Sequence, residues 1–319
     1  MTDELQPKAT EPSSKTPTPV VPPVAKIPKT TKMLPSSLPL STSDASEIMG
    51  ASITRLIVLG GPQNSGKTTL LGSIYEQYQK GSFAGRQLSW CSTLLGFEQV
   101  CHEGRINSGR QIPETLRTSR QAGKQMYHLR LQSLQSKKEQ DLLLTDVSGE
   151  EFEDLRNFGE GIEQLSILRR ADHFTILLSG DRIVDLTKRH QAFDETSTVL
   201  RVMTEEGLLG SRNNVQIVFS KHDLTEAADK KLKCADFLHS VEEKLTAQFD
   251  SAFGSLKFYR ISARDPSGQQ IEAPGVDALL TDWTDIRRLM STSVNSGLQN
   301  SSLVSGIDQF QCLRTAAQR

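Results

Sequence analysis

Gly61-Pro62-Gln63-Asn64-Ser65-Gly66-Lys67-Thr68 stands between two stretches of opposite character. Before it, Thr54-Arg55-Leu56-Ile57-Val58-Leu59-Gly60 is apolar and β-branched and predicts a buried strand. After it, Thr69-Leu70-Leu71-Gly72-Ser73-Ile74-Tyr75 predicts the opening of a helix. A glycine-cornered loop with Lys-Thr at its end, set between strand and helix, is a phosphate-binding P-loop. Its backbone N–H groups and the helix N-terminus converge on an anion. Gly61, Pro62, Gln63, Asn64, Ser65, Gly66, Lys67, Thr68 and Thr69 are therefore candidate contacts to a nucleoside triphosphate. Lys67 is expected to reach the β- and γ-phosphates, and Thr68 to hold Mg²⁺.

Outward from the loop, strand-like and helix-like patterns alternate. Strands are expected at 54–60, 127–134, 140–146, 173–179, 214–220 and 256–262. Helical patterns fall at 67–79, about 160–170, 187–207, 229–250 and 275–290. In the fourth, Ala235, Leu238, Val241, Leu245 and Phe249 recur at helical spacing and form one apolar face. Such alternation implies an α/β fold, a mostly parallel sheet with helices on both faces and ligands at the carboxyl ends of the strands. Strands 127–134 and 140–146, joined by the short Lys137-Lys138-Glu139 turn, are expected to form one antiparallel hairpin.

The ends of the chain differ. Residues 1–48 hold nine of the thirteen prolines, and no aromatic residue precedes Tyr75. A segment so poor in buriable surface is expected to be a disordered arm. Its Lys8, Lys15, Lys26, Lys29 and Lys32 suit either a tether or an extended recognition arm. Residues 49–290 are read as one domain, and 291–319, rich in Ser, Asn and Gln, as a flexible tail. Within that tail, Leu303, Val304, Ile307, Phe310 and Leu313 suggest a short helix that docks. The formal net charge of −1 points to neither nucleic acid nor an anionic membrane. Cys91, Cys101, Cys234 and Cys312 lie far apart with no CxxC pair, which implies reduced thiols and a cytoplasmic protein. No run is apolar enough to span a bilayer, and no signal-peptide core opens the chain.

Three further signals stand at strand ends. Leu142-Leu143-Leu144-Thr145-Asp146-Val147-Ser148-Gly149-Glu150 closes a strand with Asp146, a candidate Mg²⁺ ligand, and places the Gly149 N–H near a γ-phosphate. Val215-Gln216-Ile217-Val218-Phe219-Ser220-Lys221-His222-Asp223 ends in Ser-Lys-x-Asp. The Asp223 carboxylate can accept from both the N1–H and the 2-amino group of guanine, a donor pair adenine lacks, while the Lys221 stem lies along the purine. Lys257-Phe258-Tyr259-Arg260-Ile261-Ser262-Ala263-Arg264 ends in small residues, and a backbone N–H of Ser262 or Ala263 could meet the guanine O6.

Together these elements resemble the G1, G3, G4 and G5 motifs of the Ras-like and translation-factor P-loop GTPases, over about residues 52–290. The resemblance implies a three-layer P-loop NTPase fold, Mg²⁺-dependent GTP hydrolysis and a nucleotide-controlled switch. Finer features resemble the bacterial double-GTPase group. These are Phe83, Leu94-Leu95-Gly96-Phe97, Thr145-Asp146-Val147-Ser148-Gly149-Glu150-Glu151-Phe152, Arg170-Ala171-Asp172-His173 and Gly180-Asp181-Arg182. Members of that group are implied to work beside a companion GTPase, often in conflict systems.

The chain also departs from the pattern. Ser220 stands where asparagine ties the base loop to the P-loop; the shorter serine is expected to reach less far and weaken guanine binding. Glu150 fills the slot of the water-positioning glutamine, as catalytic base, water holder or part of an acidic face with Glu151 and Glu153. Thr115 and Thr118 are both open as the switch threonine in the long 80–125 connection. By resemblance to cation-activated GTPases, Asn64 is a candidate to hold K⁺; it also tolerates left-handed backbone. Two other readings stay open: a nucleotide-holding scaffold with little turnover, and a P-loop ATPase or kinase in which Ser-Lys-His-Asp is accidental.

Overall fold

The computed structural model describes residues 37–104, 125–158, 167–263 and 273–285. Its seven strands are β1 (Thr54–Gly60), β2 (Arg86–Trp90), β3 (Tyr127–Ser133), β4 (Glu139–Asp146), β5 (His173–Ser179), β6 (Asn214–Ser220) and β7 (Ser255–Arg260). They form one sheet in the order β2-β3-β4-β1-β5-β6-β7. The expected hairpin is present as β3 and β4. A further strand, β2, pairs antiparallel with the outer side of β3, so β3 opposes both neighbours and every other pairing is parallel. β2 escaped the sequence reading because an edge strand with a half-exposed face carries little apolar alternation.

Strand periodicity sorts the core into two layers. Leu56 and Val58 of β1 face one side, while Ile57 and Leu59 face the other. The first layer is covered by α1 (Thr42–Ala51), α4 (Gly149–Phe158), α6 (Arg189–Glu205) and α8 (Cys234–Phe249). The second is covered by α2 (Lys67–Lys80), α3 (Leu94–Gly104) and α9 (Val276–Trp283). The short α5 (Gly180–Val184) and α7 (His222–Leu232) follow β5 and β6 at their carboxyl ends. This is the expected three-layer α/β architecture. The chain leaves β1 toward β4 on one side and β5 on the other, a switch point of the kind at which such sheets bind ligands.

Several boundaries differ from expectation. The packed domain begins before residue 49. Ser41 and Asp44 close a capping box on α1, Leu40 bridges Met126, and Ala45 is fully buried in the first core layer. The helix expected over 229–250 is the end of α7 followed by α8. Lys233 adopts a left-handed φ of 49° that parts the two, and Asp229 Oδ1 accepts the Ala235 N–H across the break. Cys234, rather than the exposed Ala235, opens the buried stripe of α8. The pattern at 160–170 lies largely outside the described residues, as do residues 1–36, the 291–319 tail, Thr115, Thr118 and Arg264.

Two buried ionic knots tie the layers. Asp172 accepts the Leu56 N–H at 2.9 Å and pairs with Arg55 and Arg170, fixing the start of β1 beside β5. Asp141 on β4 receives Ser52 at the end of α1, His128 Nε2 at 2.9 Å and Arg130 Nε at 2.7 Å. His128 Nδ1 accepts the Ser92 N–H, so the ring proton sits on Nε2 and is donated to Asp141. Burial opposes the charge on Asp141, but these hydrogen bonds outweigh it and hold the carboxyl well below its usual range.

Candidate nucleotide-binding site

The quoted loop leaves β1 and enters α2 through three residues of positive φ: Gly61 at 138°, Asn64 at 60° and Gly66 at 93°. A side chain at Gly61 would meet the Leu177 carbonyl of β5 at 2.8 Å, so the loop turns hard against the neighbouring strand. Lys67 is nearly buried, and its Nζ donates to the Gly61 carbonyl at 2.7 Å and the Pro62 carbonyl at 3.0 Å. The ammonium is thus held at the loop that would surround the phosphates. Ser65 Oγ is fully buried and finds no hydrogen-bond partner among the described residues. Thr68 and Thr69, half-buried, lie in the first turn of α2, where backbone N–H groups point outward.

The DxxG segment meets this loop. Asp146 ends β4 in register with Leu59, and the Val147 N–H donates to the Leu59 carbonyl at 2.7 Å. Gly149 abuts Gln63: a β-carbon there would come within 2.7 Å of the Gln63 backbone nitrogen. α4 starts at this glycine because Ser148 and Glu151 form a capping box. Ser148 Oγ accepts the Glu151 N–H at 3.1 Å, and Glu151 Oε2 accepts the Ser148 N–H at 3.0 Å. Glu151 is therefore a helix cap, and Glu150 beside it is exposed.

The loop after β6 also converges here. Ser220 Oγ donates to the Ser65 carbonyl at 2.7 Å and lies 3.3 Å from the Leu178 carbonyl. The expectation that serine reaches less far is corrected at this point. A Cβ at Gly66 would stand only 3.9 Å from Ser220, close enough for the short hydroxyl to span the gap. Lys221 takes a left-handed φ of 52°, and Asp223 lies half-buried in the first turn of α7. The Asp223 N–H donates to Ser262 Oγ at 3.0 Å, and the His222 N–H donates to the Ile261 carbonyl. Ser262 therefore enters through its hydroxyl. Its own N–H is taken by the Pro274 carbonyl, and Ala263 is the next described residue of that loop with a backbone N–H.

All four strand ends thus meet on the carboxyl edge of the sheet, at the loop after β1. Thr68 at the start of α2 offers a hydroxyl oxygen, a hard donor of the kind Mg²⁺ takes alongside phosphate and water. Among the described residues no cluster of three or more His, Cys, Asp or Glu could hold a metal by itself. No described helix is long and apolar enough to cross a membrane. Missing from the sequence reading as a contact was Asp181, whose Oδ2 pairs with Lys221 Nζ at 3.1 Å. Its signal was Gly180-Asp181 at the end of a buried strand. Arg170-Ala171-Asp172 lies instead at the opposite edge, in the knot that starts β1.

Residues 55–284 match the family model described as Double-GTPase 2. Among solved structures, the GTPase-like domain of S. cerevisiae Ski7, bound to GDP and inorganic phosphate, is similar at 14% identity and a TM-score of 0.46. That match covers 80% of this chain and 53% of the Ski7 chain, so this chain spans about half the length of that protein. The signal recognition particle receptor SRb-GTP/SRX complex from Chaetomium thermophilum is similar at 15% identity and a TM-score of 0.39, covering 72% of this chain and 95% of that one. No curated protein matches the sequence.

Proposed function

The chain belongs to the Double-GTPase 2 family, and from that premise we propose that it binds GTP and GDP at this site, hydrolyses GTP slowly with Mg²⁺ and acts as a nucleotide-dependent switch. The observation that supports this most is the contact of Gly149 with Gln63 beside the tie of Ser220 to Ser65. Phosphate loop, γ-phosphate sensor and base loop are mechanically one unit.

In this reading Lys67 and the loop amides bind the phosphates, and Thr68 and Asp146 hold Mg²⁺. The metal supplies charge neutralisation at the β- and γ-oxygens. Lys221 and Asp223 read guanine, and Ala263 offers its N–H to the base. Catalysis is electrostatic stabilisation of in-line attack by water, with unassisted turnover of ~10⁻⁴ to 10⁻² s⁻¹. Glu150, exposed at the start of α4, is the water-holding candidate. Gly149 carries the switch: loss of the γ-phosphate would free the start of α4 from the P-loop. A protein effector or companion GTPase is the partner this reading calls for, and the cytoplasm is its compartment.

The test is competition of GTP and ATP, with Mg²⁺, against a fluorescent GDP analogue on the full chain. GTP displacing the probe at least about a hundredfold better is the expected result. Equal competition would reduce the reading to a general P-loop NTPase. Multiple-turnover phosphate release that is lost in Lys67→Ala would exclude a scaffold without turnover.

A further inference from the structure

Lys221 is the lysine of the loop after β6, and its ammonium has a carboxylate partner. Nζ meets Asp181 Oδ2 at 3.1 Å, with both side chains part-exposed at the rim of the site. The pair is built by the backbone on both sides. Ser179, the last residue of β5, stands opposite Ser220, the last residue of β6, so Asp181 and Lys221 leave adjacent strands at nearly the same level. Gly180 then lets the two loops close. A β-carbon there would lie 2.3 Å from the Lys221 carbonyl oxygen and 2.9 Å from that of Ser220, both backbone atoms. No alanine fits without moving the base loop. Asp181 is oriented in turn, because Oδ1 accepts the Arg182 N–H at 3.0 Å. Arg182 is held by Glu195 of α6, with Nη1 2.6 Å from Oε2. The chain of contacts runs from a packed helix to the lysine that flanks the base.

We propose that Asp181 is a positioning residue for the purine. Its carboxylate anchors the Lys221 ammonium so that the lysine's methylene stem lies as a fixed apolar edge along the base plane. The inference rests on the guanine-nucleotide reading above. A free lysine stem must be ordered each time a base binds; an anchored one has already lost that rotamer freedom. The same pairing neutralises a carboxylate that would otherwise repel an anionic nucleotide. Burial works against the charge on Asp181, yet its hydrogen bonds and Lys221 keep the carboxyl below its ordinary value, so it stays ionised at neutral pH. The effect is confined to the base, since neither side chain bonds to the P-loop among the described contacts.

The experiment measures binding to the full chain by displacement of a fluorescent GDP analogue, with GDP and base-free inorganic triphosphate as competitors. Asp181→Asn is expected to weaken GDP about twofold to fivefold, the scale of a part-exposed ion pair, and to leave triphosphate unchanged. Asp181→Glu should recover part of the loss. In a Lys221→Met background, Asp181→Asn should have no further effect, because the double-mutant cycle removes the shared interaction. Unchanged GDP affinity in Asp181→Asn, with guanine preference intact in the parent chain, overturns the inference and leaves the GTPase reading standing. Equal losses for GDP and triphosphate overturn it too, and make Asp181 a general brace of the loop. A parent chain without guanine preference removes the reading on which the inference depends.

Discussion

Gly149 and Gln63 approach so closely that a β-carbon on the glycine would stand 2.5 Å from the Gln63 Cγ and 2.7 Å from its backbone nitrogen. A flexible Cγ can move aside; a backbone atom of the phosphate loop cannot move without reshaping the loop. Gly149→Ala is therefore expected to weaken GTP at least about tenfold, in line with the overpacking cost of a tight backbone contact, and GDP less, since in the proposed switch the GDP state frees the start of α4 from the loop. Titration with a fluorescent nucleotide checks it. Affinity within twofold of the parent chain would mean the loop yields there freely.

Ser220→Ala removes the hydroxyl that spans from base loop to P-loop and leaves the Ser65 carbonyl short of a donor. One such hydrogen bond is worth about 1 kcal/mol, so GDP affinity should fall about fivefold and stability by a similar free energy. Urea unfolding and GDP titration read the two separately. If neither moves, the 2.7 Å contact contributes nothing that water cannot replace.

If Asp223 reads guanine as proposed, Asp223→Asn exchanges an acceptor for a donor beside the purine C2 position. Guanine presents an amino group there and xanthine a carbonyl. The variant is expected to lose GTP by about a hundredfold and to gain XTP, because a mispaired buried polar edge is strongly rejected. Parallel competition by the two nucleotides decides it, and a loss of both would show Asp223 acting chiefly as an acidic cap on α7.

Asp141→Asn tests the knot that joins α1, β3 and β4. The carboxylate is almost fully buried and receives Ser52, His128 and Arg130. Leaving Arg130 and His128 without their charged partner should cost about 3 kcal/mol at pH 7. The sign with pH follows from a folded pKa below the unfolded one. The carboxylate's contribution is complete above the unfolded value of about 4 and fades as pH falls from there toward the folded value. Unfolding free energies at pH 7, 5 and 3 should therefore differ most between variant and parent at pH 7 and 5. A constant difference down to pH 3 would contradict this.

Asn64 sits at a φ of 60° and is exposed. Its left-handed backbone accounts for an asparagine without any ion. If it also holds K⁺, GTP turnover will run faster in KCl than in NaCl at equal ionic strength, and Asn64→Gly will erase the difference while keeping the loop conformation. Equal rates in the two salts would leave Asn64 its conformational role alone.

Much of the site was legible because its signals are local. Strands β1, β5 and β6 were bounded as the structure has them, since buried parallel strands read as continuous apolar runs closed by Gly60, Ser179 and Ser220. The Ser148-x-x-Glu151 cap was present in the sequence too, but next to Glu150 and Glu153 it reads equally as an acidic face. Helix α1 was hidden by its proline-rich approach. Only the burial of Ala45 and the bridge from Leu40 to Met126 reveal that it belongs to the domain.

The sequence by itself determined the glycine-cornered loop after β1, the strands β1 and β3 to β7, the helices α2, α6, α8 and α9 between and after them, and the residue types offered at each strand end, because these depend on neighbours within a few positions. Tertiary structure alone decided which of those ends touch. Ser220 finds the carbonyl of Ser65 across 155 residues, and Lys221 finds Asp181 across 40. No periodicity or composition encodes such meetings. They follow from the parallel register that brings Ser179 beside Ser220, and from glycines at 149 and 180 where backbones come too near to admit a side chain.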